Sequence, residues 1–206
     1  MAKSGPIRAM LSEGRGRISV GRAEEVAALV LAQPEKFSRL MECLWDRDPG
    51  VVNRAAHALE RVTRDAMPVF GPILDSWKTS LLGLLPQATE NKLRWHLALI
   101  VPRLELDRQE CRRTAAALQS WLQDGSSIVK TMAMQGLVDL THQDASLLPE
   151  VLDLLRILSR SGTPAMRARG RLLLIKLEAA QDTPKRERPP PRTIKPGSSR
   201  ASTQRI

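Results

Sequence analysis

The side chains of this chain that could do chemistry are few: three histidines, two cysteines and four tryptophans among 206 residues. A metal site needs several donors converging on one point, and helices supply them at spacings of three or four residues. No Cys or His stands at that spacing from His57, His96 or His142, so metal binding is excluded and all three read as ordinary surface or interface residues. Cys43 and Cys111 have no local base to activate a thiolate. Neither a Gly-x-Ser-x-Gly elbow nor a glycine loop that could cradle phosphate is present. Groups assembled from distant helices lie beyond what motifs can show. The sequence therefore names no catalytic residue, no cofactor and no small-molecule substrate. Two cysteines are too few for a disulfide framework, which points to a reducing compartment.

Stepping from side chains to the elements that carry them, the pattern is helical throughout. Apolar residues make up 42% of the chain but aromatics only 3%, and β-branched residues never form alternating runs of strand length. Helical stretches are separated by short breaks at Pro34, Asp48-Pro49-Gly50, Gly71-Pro72, Pro86, Asp124-Gly125-Ser126-Ser127, Pro149 and Gly162-Thr163-Pro164. Four segments fit one template: Val51–Leu59, Asn91–Leu99, Val129–Leu137 and Met166–Leu174, with closing leucines 40, 38 and 37 residues apart. The fifth position reads Ala55, Trp95, Ala133 and Gly170, and the eighth reads Ala58, Ala98, Gly136 and Leu173. Positions one, five, eight and nine share a helical face, where small side chains let a neighbouring helix come close. An amphipathic helix precedes each segment, at roughly 34–46, 72–85, 107–122 and 146–160 by this periodicity. Ala23 to Gln33 makes an extra capping helix. Two-helix units of about 40 residues hide their apolar faces only by stacking.

The net charge of +10 is unevenly placed. Residues 1–20 carry four basic and one acidic side chain, residues 183–206 seven and one, and the body is close to neutral. The first twenty residues are expected to be a disordered basic segment. The last twenty-four, with five prolines and almost no apolar content, are expected to be a disordered tail, because they cannot bury enough surface to offset ordering. The helical domain is thus expected over 21–182. The N-terminus lacks the apolar stretch of a signal peptide, and no eighteen-residue apolar run could span a membrane. A cytoplasmic protein is expected.

With these residues in place, the chain resembles the HEAT-repeat family of armadillo-like α-solenoids. The third unit carries the pattern best, through Asp124, Val129, Lys130, Ala133, Gly136 and Leu137. The first follows through Asp48, Pro49, Val51, Ala55, Ala58 and Leu59, with Val52 where the family prefers a basic residue. The second departs at Asn91 and the fourth at Leu173. The resemblance implies an all-α superhelix of about four helical pairs, with protein or nucleic acid bound along it and no catalytic residues. Some solenoids of this kind are DNA glycosylases that use tryptophans, an acid and basic residues. Trp45, Trp77, Trp95 and Trp121, with Asp46, Asp75 and Asp124, are this chain's version of that inventory. The competing reading makes the tryptophans core. A near-neutral body also offers little charge for phosphate, the main source of non-specific DNA affinity.

A binding surface is better supported. Template position four supplies Arg54, Arg94 and Arg169, and position two supplies Lys92, Lys130 and Arg167. In a stack these form two basic rows that suit an acidic partner; alternatively the position-two residues pair with turn aspartates such as Asp48 and Asp124. Between the rows, Leu93, Leu97, Ile100, Val138, Leu172 and Ile175 point away from the core-facing stripe, either as a binding surface or as residues that the curl of a short solenoid buries. An apolar floor with basic edges fits an acidic or amphipathic segment. Lys185, Arg186, Arg188, Arg192 and Lys195 make the tail an electrostatic arm for nucleic acid or an acidic partner, without aromatics for base stacking. The reading is a non-enzymatic scaffolding module that binds a protein on its second helices. The alternative is a nucleic-acid-associated protein of the glycosylase type.

Overall fold

The computed structural model describes residues 5–14, 16 and 19–182, and every regular element among them is helical. The tail residues Lys185, Arg186, Arg188, Arg192 and Lys195 lie outside the described residues. The α-helices are α1 (Pro6–Ser12), α2 (Ala23–Ala32), α3 (Phe37–Glu42), α4 (Pro49–Asp65), α5 (Met67–Ser76), α6 (Lys78–Leu84), α7 (Asn91–Ile100), α8 (Arg108–Ser120), α9 (Ser127–Thr141), α10 (Leu148–Ser161) and α11 (Pro164–Asp182). No helix among the described residues is long and apolar enough to cross a membrane.

Helix ends follow local chemistry. Asp48 accepts a hydrogen bond from the Gly50 N–H at 2.7 Å, with Pro49 pre-set for the first turn of α4. Asp107 and Glu110 form a reciprocal capping box at the start of α8. Pro149 and Pro164 likewise fall in first turns, where the missing N–H costs nothing. Gly71-Pro72, read as a break, is not one: Pro72 lies inside α5, and the helix yields only at Trp77 before α6 begins. The expected helix over 72–85 is therefore two shorter ones starting five residues earlier.

The five helices α2, α4, α7, α9 and α11 touch one another in sequence, each middle one between two neighbours. On another side α3 packs on α4, α8 on α9 and α10 on α11. The small residues of the template make these approaches possible. Ala55, Ala58, Ala98 and Ala133 are fully buried, and a Cβ on Gly136 would run into the Ala98 carbonyl oxygen of α7.

Within the segment 1–20, expected to be disordered, residues 6–12 are helical. Helix α1 occupies Pro6–Ser12 and buries Ile7 and Leu11, one turn apart, against α2, α3 and α4. Two apolar residues amid Gly, Ser and Arg are a faint signal, and the contact that fixes them is remote. Arg8 donates to both carboxylate oxygens of Asp46, at 2.6 and 3.2 Å.

Candidate interaction surface

The basic rows hold the main candidate residues of the sequence. Arg54 is only 3% exposed and makes no ion pair among the described residues. Its guanidinium donates instead to the Leu11 carbonyl and, at 3.2 Å, to that of Gly16. Gly14, Gly21 and Gly50 leave the room it occupies, since a Cβ on any of them would come within 3 Å of the arginine. Gly21 also has φ +51, a conformation that side chains resist. Arg94 donates to Asp124 and, at 2.8 Å, to the Ala88 carbonyl. Arg169 donates to Gln135 at 2.5 Å and Arg167 to the Gly162 carbonyl at 2.8 Å. Lys130 is half-buried without an ion pair among the described residues. The arginines thus act as clamps between elements and form no open row of charge.

This corrects the pairing scheme as well. Asp124 takes its arginine from template position four of the preceding unit, and Asp48 takes a backbone N–H. The turn aspartates share a different device. Asp46, Asp124 and Asp144 each accept the backbone N–H two residues on, at 2.9, 2.7 and 3.0 Å. Arg8 and Arg94 bind the first two, while Arg108 and Arg112 approach the third at 3.7 and 3.9 Å. The turn at Asp124 was legible in the sequence, but the arginine that reaches it from thirty residues back was not.

Replacing Arg54 gives a local result. Arg54→Ala leaves two carbonyls without their charged donor and costs about 2 kcal/mol. The loss should appear as faster hydrogen exchange over residues 5–14, with α7 to α11 still protected. Uniform loosening of the whole chain would instead mean that Arg54 belongs to the common core.

The apolar floor is mostly covered. Leu93, Leu97, Ile100 and Val138 are buried, against the expectation that they face outward. Helix α7 is enclosed by α4 and α9, and after Ile100 the chain turns back through a 3-10 segment, Val101–Arg103. Arg103 locks that turn onto α4. It donates to the Glu60 carbonyl at 2.9 Å, the Glu60 carboxylate at 2.7 Å and the Thr63 hydroxyl at 2.6 Å.

A polar path runs over the same helices. His57 meets Glu24 at 2.8 Å and stands edge-on to His96, ring centroids 5.5 Å apart. His96 is buried against Trp95, and its Nδ1 lies 2.6 Å from the Lys92 carbonyl. That carbonyl only accepts, so Nδ1 carries the proton and the buried Nε2 lone pair has no partner among the described residues. Burial holds the imidazole down to a pKa of about 3. Further along, Gln135 donates to Asp139 at 2.6 Å, and burial pushes that carboxyl above the ordinary range. No group of three or more His, Cys, Asp or Glu among the described residues is arranged to hold a metal ion.

The remaining candidates are scattered. Trp121 is buried, and Trp77 and Trp95 pack partly against the core. Trp45 is exposed and stacks on Trp77 at 5.8 Å, an arrangement that the sequence reading missed. A cleft of about 500 Å³ is lined by Pro86, Trp121 and the Arg94–Asp124 pair, whose charges are already matched. Burial raises the Cys43 thiol to about 11, so it is not a thiolate at neutral pH. It also raises that of Cys111.

One face is left open. On α11 the core side is Met166, Gly170, Leu173 and Leu177, all buried. The opposite side is Ala168, Leu172, Ile175 and Ala179, spaced four, three and four residues apart and all exposed. Leu172 is 56% exposed and Ile175 64%, with Ile157 of the adjoining α10 at 61%. A helix apolar on two opposite sides has a second surface to cover. Arg171 and Lys176 flank the stripe, exposed and without ion pairs among the described residues. No family model, curated protein or solved structure matches this chain.

Proposed function

We propose that this chain is a non-enzymatic protein-interaction module, a HEAT-type solenoid of helical pairs working in the cytoplasm. It holds a partner on the outward side of its last second helix. The stacked contacts of α2, α4, α7, α9 and α11 and the recurring small residues support the solenoid reading. The observation that carries the binding role is the exposed stripe of α11. Leu172 occupies the template position of Leu97, which is buried within the stack, yet nothing in this chain's described residues covers it. Exposed apolar side chains in helical register are what an incoming helix recognises.

The test is a paired substitution, Leu172→Asp with Ile175→Asp. Both residues are exposed, so the thermal midpoint should stay within about 2 °C of the parent, a surface-scale change. Capture from cells, with and without nuclease, should yield a protein held in near-equal amount by the parent and reduced at least about tenfold by the variant, which is 1.4 kcal/mol. A partner held equally by both forms would remove α11 from the reading. A partner lost on nuclease treatment would turn it toward the nucleic-acid alternative.

A further inference from the structure

We infer that the segment seated on α11 is an acidic amphipathic helix, and not a second copy of this chain. The inference rests on the protein-interaction reading and adds the chemistry of the partner. The seam supplies the shape: Ala168, Leu172, Ile175 and Ala179 recur at three- and four-residue spacing, the period of a helix–helix contact. Alanines at both ends let an incoming backbone approach closely, and Leu172 and Ile175 fill the middle.

Charge selects the occupant. Flanking positions in such a contact set partner choice through opposite charges. Here the exposed charges are Arg171 and Lys176, against the single carboxylate Glu178, with the half-buried Arg169 beside them held by Gln135. A second α11 laid parallel would set Arg171 against its counterpart Lys176. Laid antiparallel, it would set Arg169 beside that lysine twice, and the two Arg171–Glu178 contacts would do no more than offset this, whereas an all-acidic flank is opposed nowhere but at Glu178. The sequence beyond Asp182 adds seven basic residues and one acidic. A helix with leucines on one side and glutamates beside them satisfies both the stripe and its flanks.

The experiment uses the whole chain and two synthetic helices of about three heptads. Both carry leucine along one seam; one has glutamate at the flanking positions and the other lysine. Binding is followed by fluorescence anisotropy, and the mass of the protein alone by sedimentation equilibrium. The glutamate peptide should bind at least about tenfold more tightly than the lysine peptide, with the gap narrowing as salt rises. Arg171→Glu with Lys176→Glu should reverse the preference, and Leu172→Asp with Ile175→Asp should abolish binding of both peptides. Equal affinity for the two peptides, or no saturable binding of either, overturns the inference. So does a dimer of the protein alone that the Leu172 and Ile175 pair of substitutions dissolves. If a cellular partner still depends on Leu172 while the acidic peptide fails to bind, the interaction reading stands and only the partner's chemistry is wrong.

Discussion

Gly136→Ala is expected to lower the thermal midpoint by roughly 6–12 °C, the shift produced by about 3 kcal/mol in a domain of this size. Gly136 lies in α9 where that helix crosses α7. A methyl group there would meet the Ala98 carbonyl oxygen inside contact distance and the Leu118 Cδ1 at 2.8 Å. The leucine could turn aside, but the carbonyl belongs to the α7 backbone and cannot move without displacing the helix. Two other glycines calibrate the result. At Gly170 the nearest atoms to an added Cβ are the Ser159 Cβ at 3.2 Å and the Met134 Cε and Ser159 Cα at 3.3 Å, tight but not overlapping, so alanine there should cost less than at Gly136. At Gly83 of α6 nothing lies within 4 Å, and alanine should stabilise by about 0.5–1 kcal/mol through helix propensity. Differential scanning calorimetry of the three variants reads the series directly. Equal effects at Gly136 and Gly83 would mean that α7 and α9 do not pack this closely.

The same glycine marks what the sequence could disclose. Close approach between helices demands small side chains, and Ala55, Ala58, Ala98, Ala133 and Gly136 wrote that demand into the chain at a steady period. The long helices were legible for this reason. Three things were not. Helix α1 is held by a buried arginine whose acceptors are carbonyls about forty residues away, and no local pattern encodes such a contact. The orientation of Leu93, Leu97 and Ile100 was misread because their helix is enclosed on more sides than a single-helix wheel allows. Pairing of the basic rows with turn aspartates was foreseen for position two, but Arg94 of position four is the one that reaches Asp124. Arg54 and Arg167 take carbonyls instead, since charges at regular spacing do not say which of them meets which acceptor. A charge reversal at Arg54, Arg94 and Arg169 would therefore loosen the fold and say little about a groove. The surface that stayed open, at Leu172 and Ile175, lies on the fourth template segment, where the family pattern fits less well. Leu173 takes the small-residue position there, and among the described residues no helix follows α11 to pack on it.

His96 should make the protein lose stability in mild acid, before carboxylates held low, such as Glu24 and Asp144, protonate. The imidazole is 1% exposed and held to a pKa of about 3 when folded. Burial is the main cause, and the neighbouring His57 and Lys92 oppose a further positive charge. In the unfolded chain a histidine takes up its proton near pH 6.5, by its ordinary value of about 6.5. Between those values the unfolded state binds a proton that the folded state refuses. Stability is then fully present above pH 6.5 and falls by about 1.4 kcal/mol for each unit below it. By pH 4.5 the loss is about 3 kcal/mol, order of magnitude, enough to move a urea midpoint substantially. Glu24 and Asp144 are held below the usual carboxylate range, by the His57 hydrogen bond and by Ser146 respectively. Their contributions fade only at lower pH, outside this window. Asp139 is shifted the other way and cancels in a comparison with a variant that keeps it. His96→Asn is that variant: it retains an amide donor near the Lys92 carbonyl and cannot titrate. It should start less stable at pH 7.5, keep a flatter profile as pH falls, and approach the parent near pH 4.5. Parallel profiles would show that His96 protonates in place, and the unpartnered Nε2 would then be open to water.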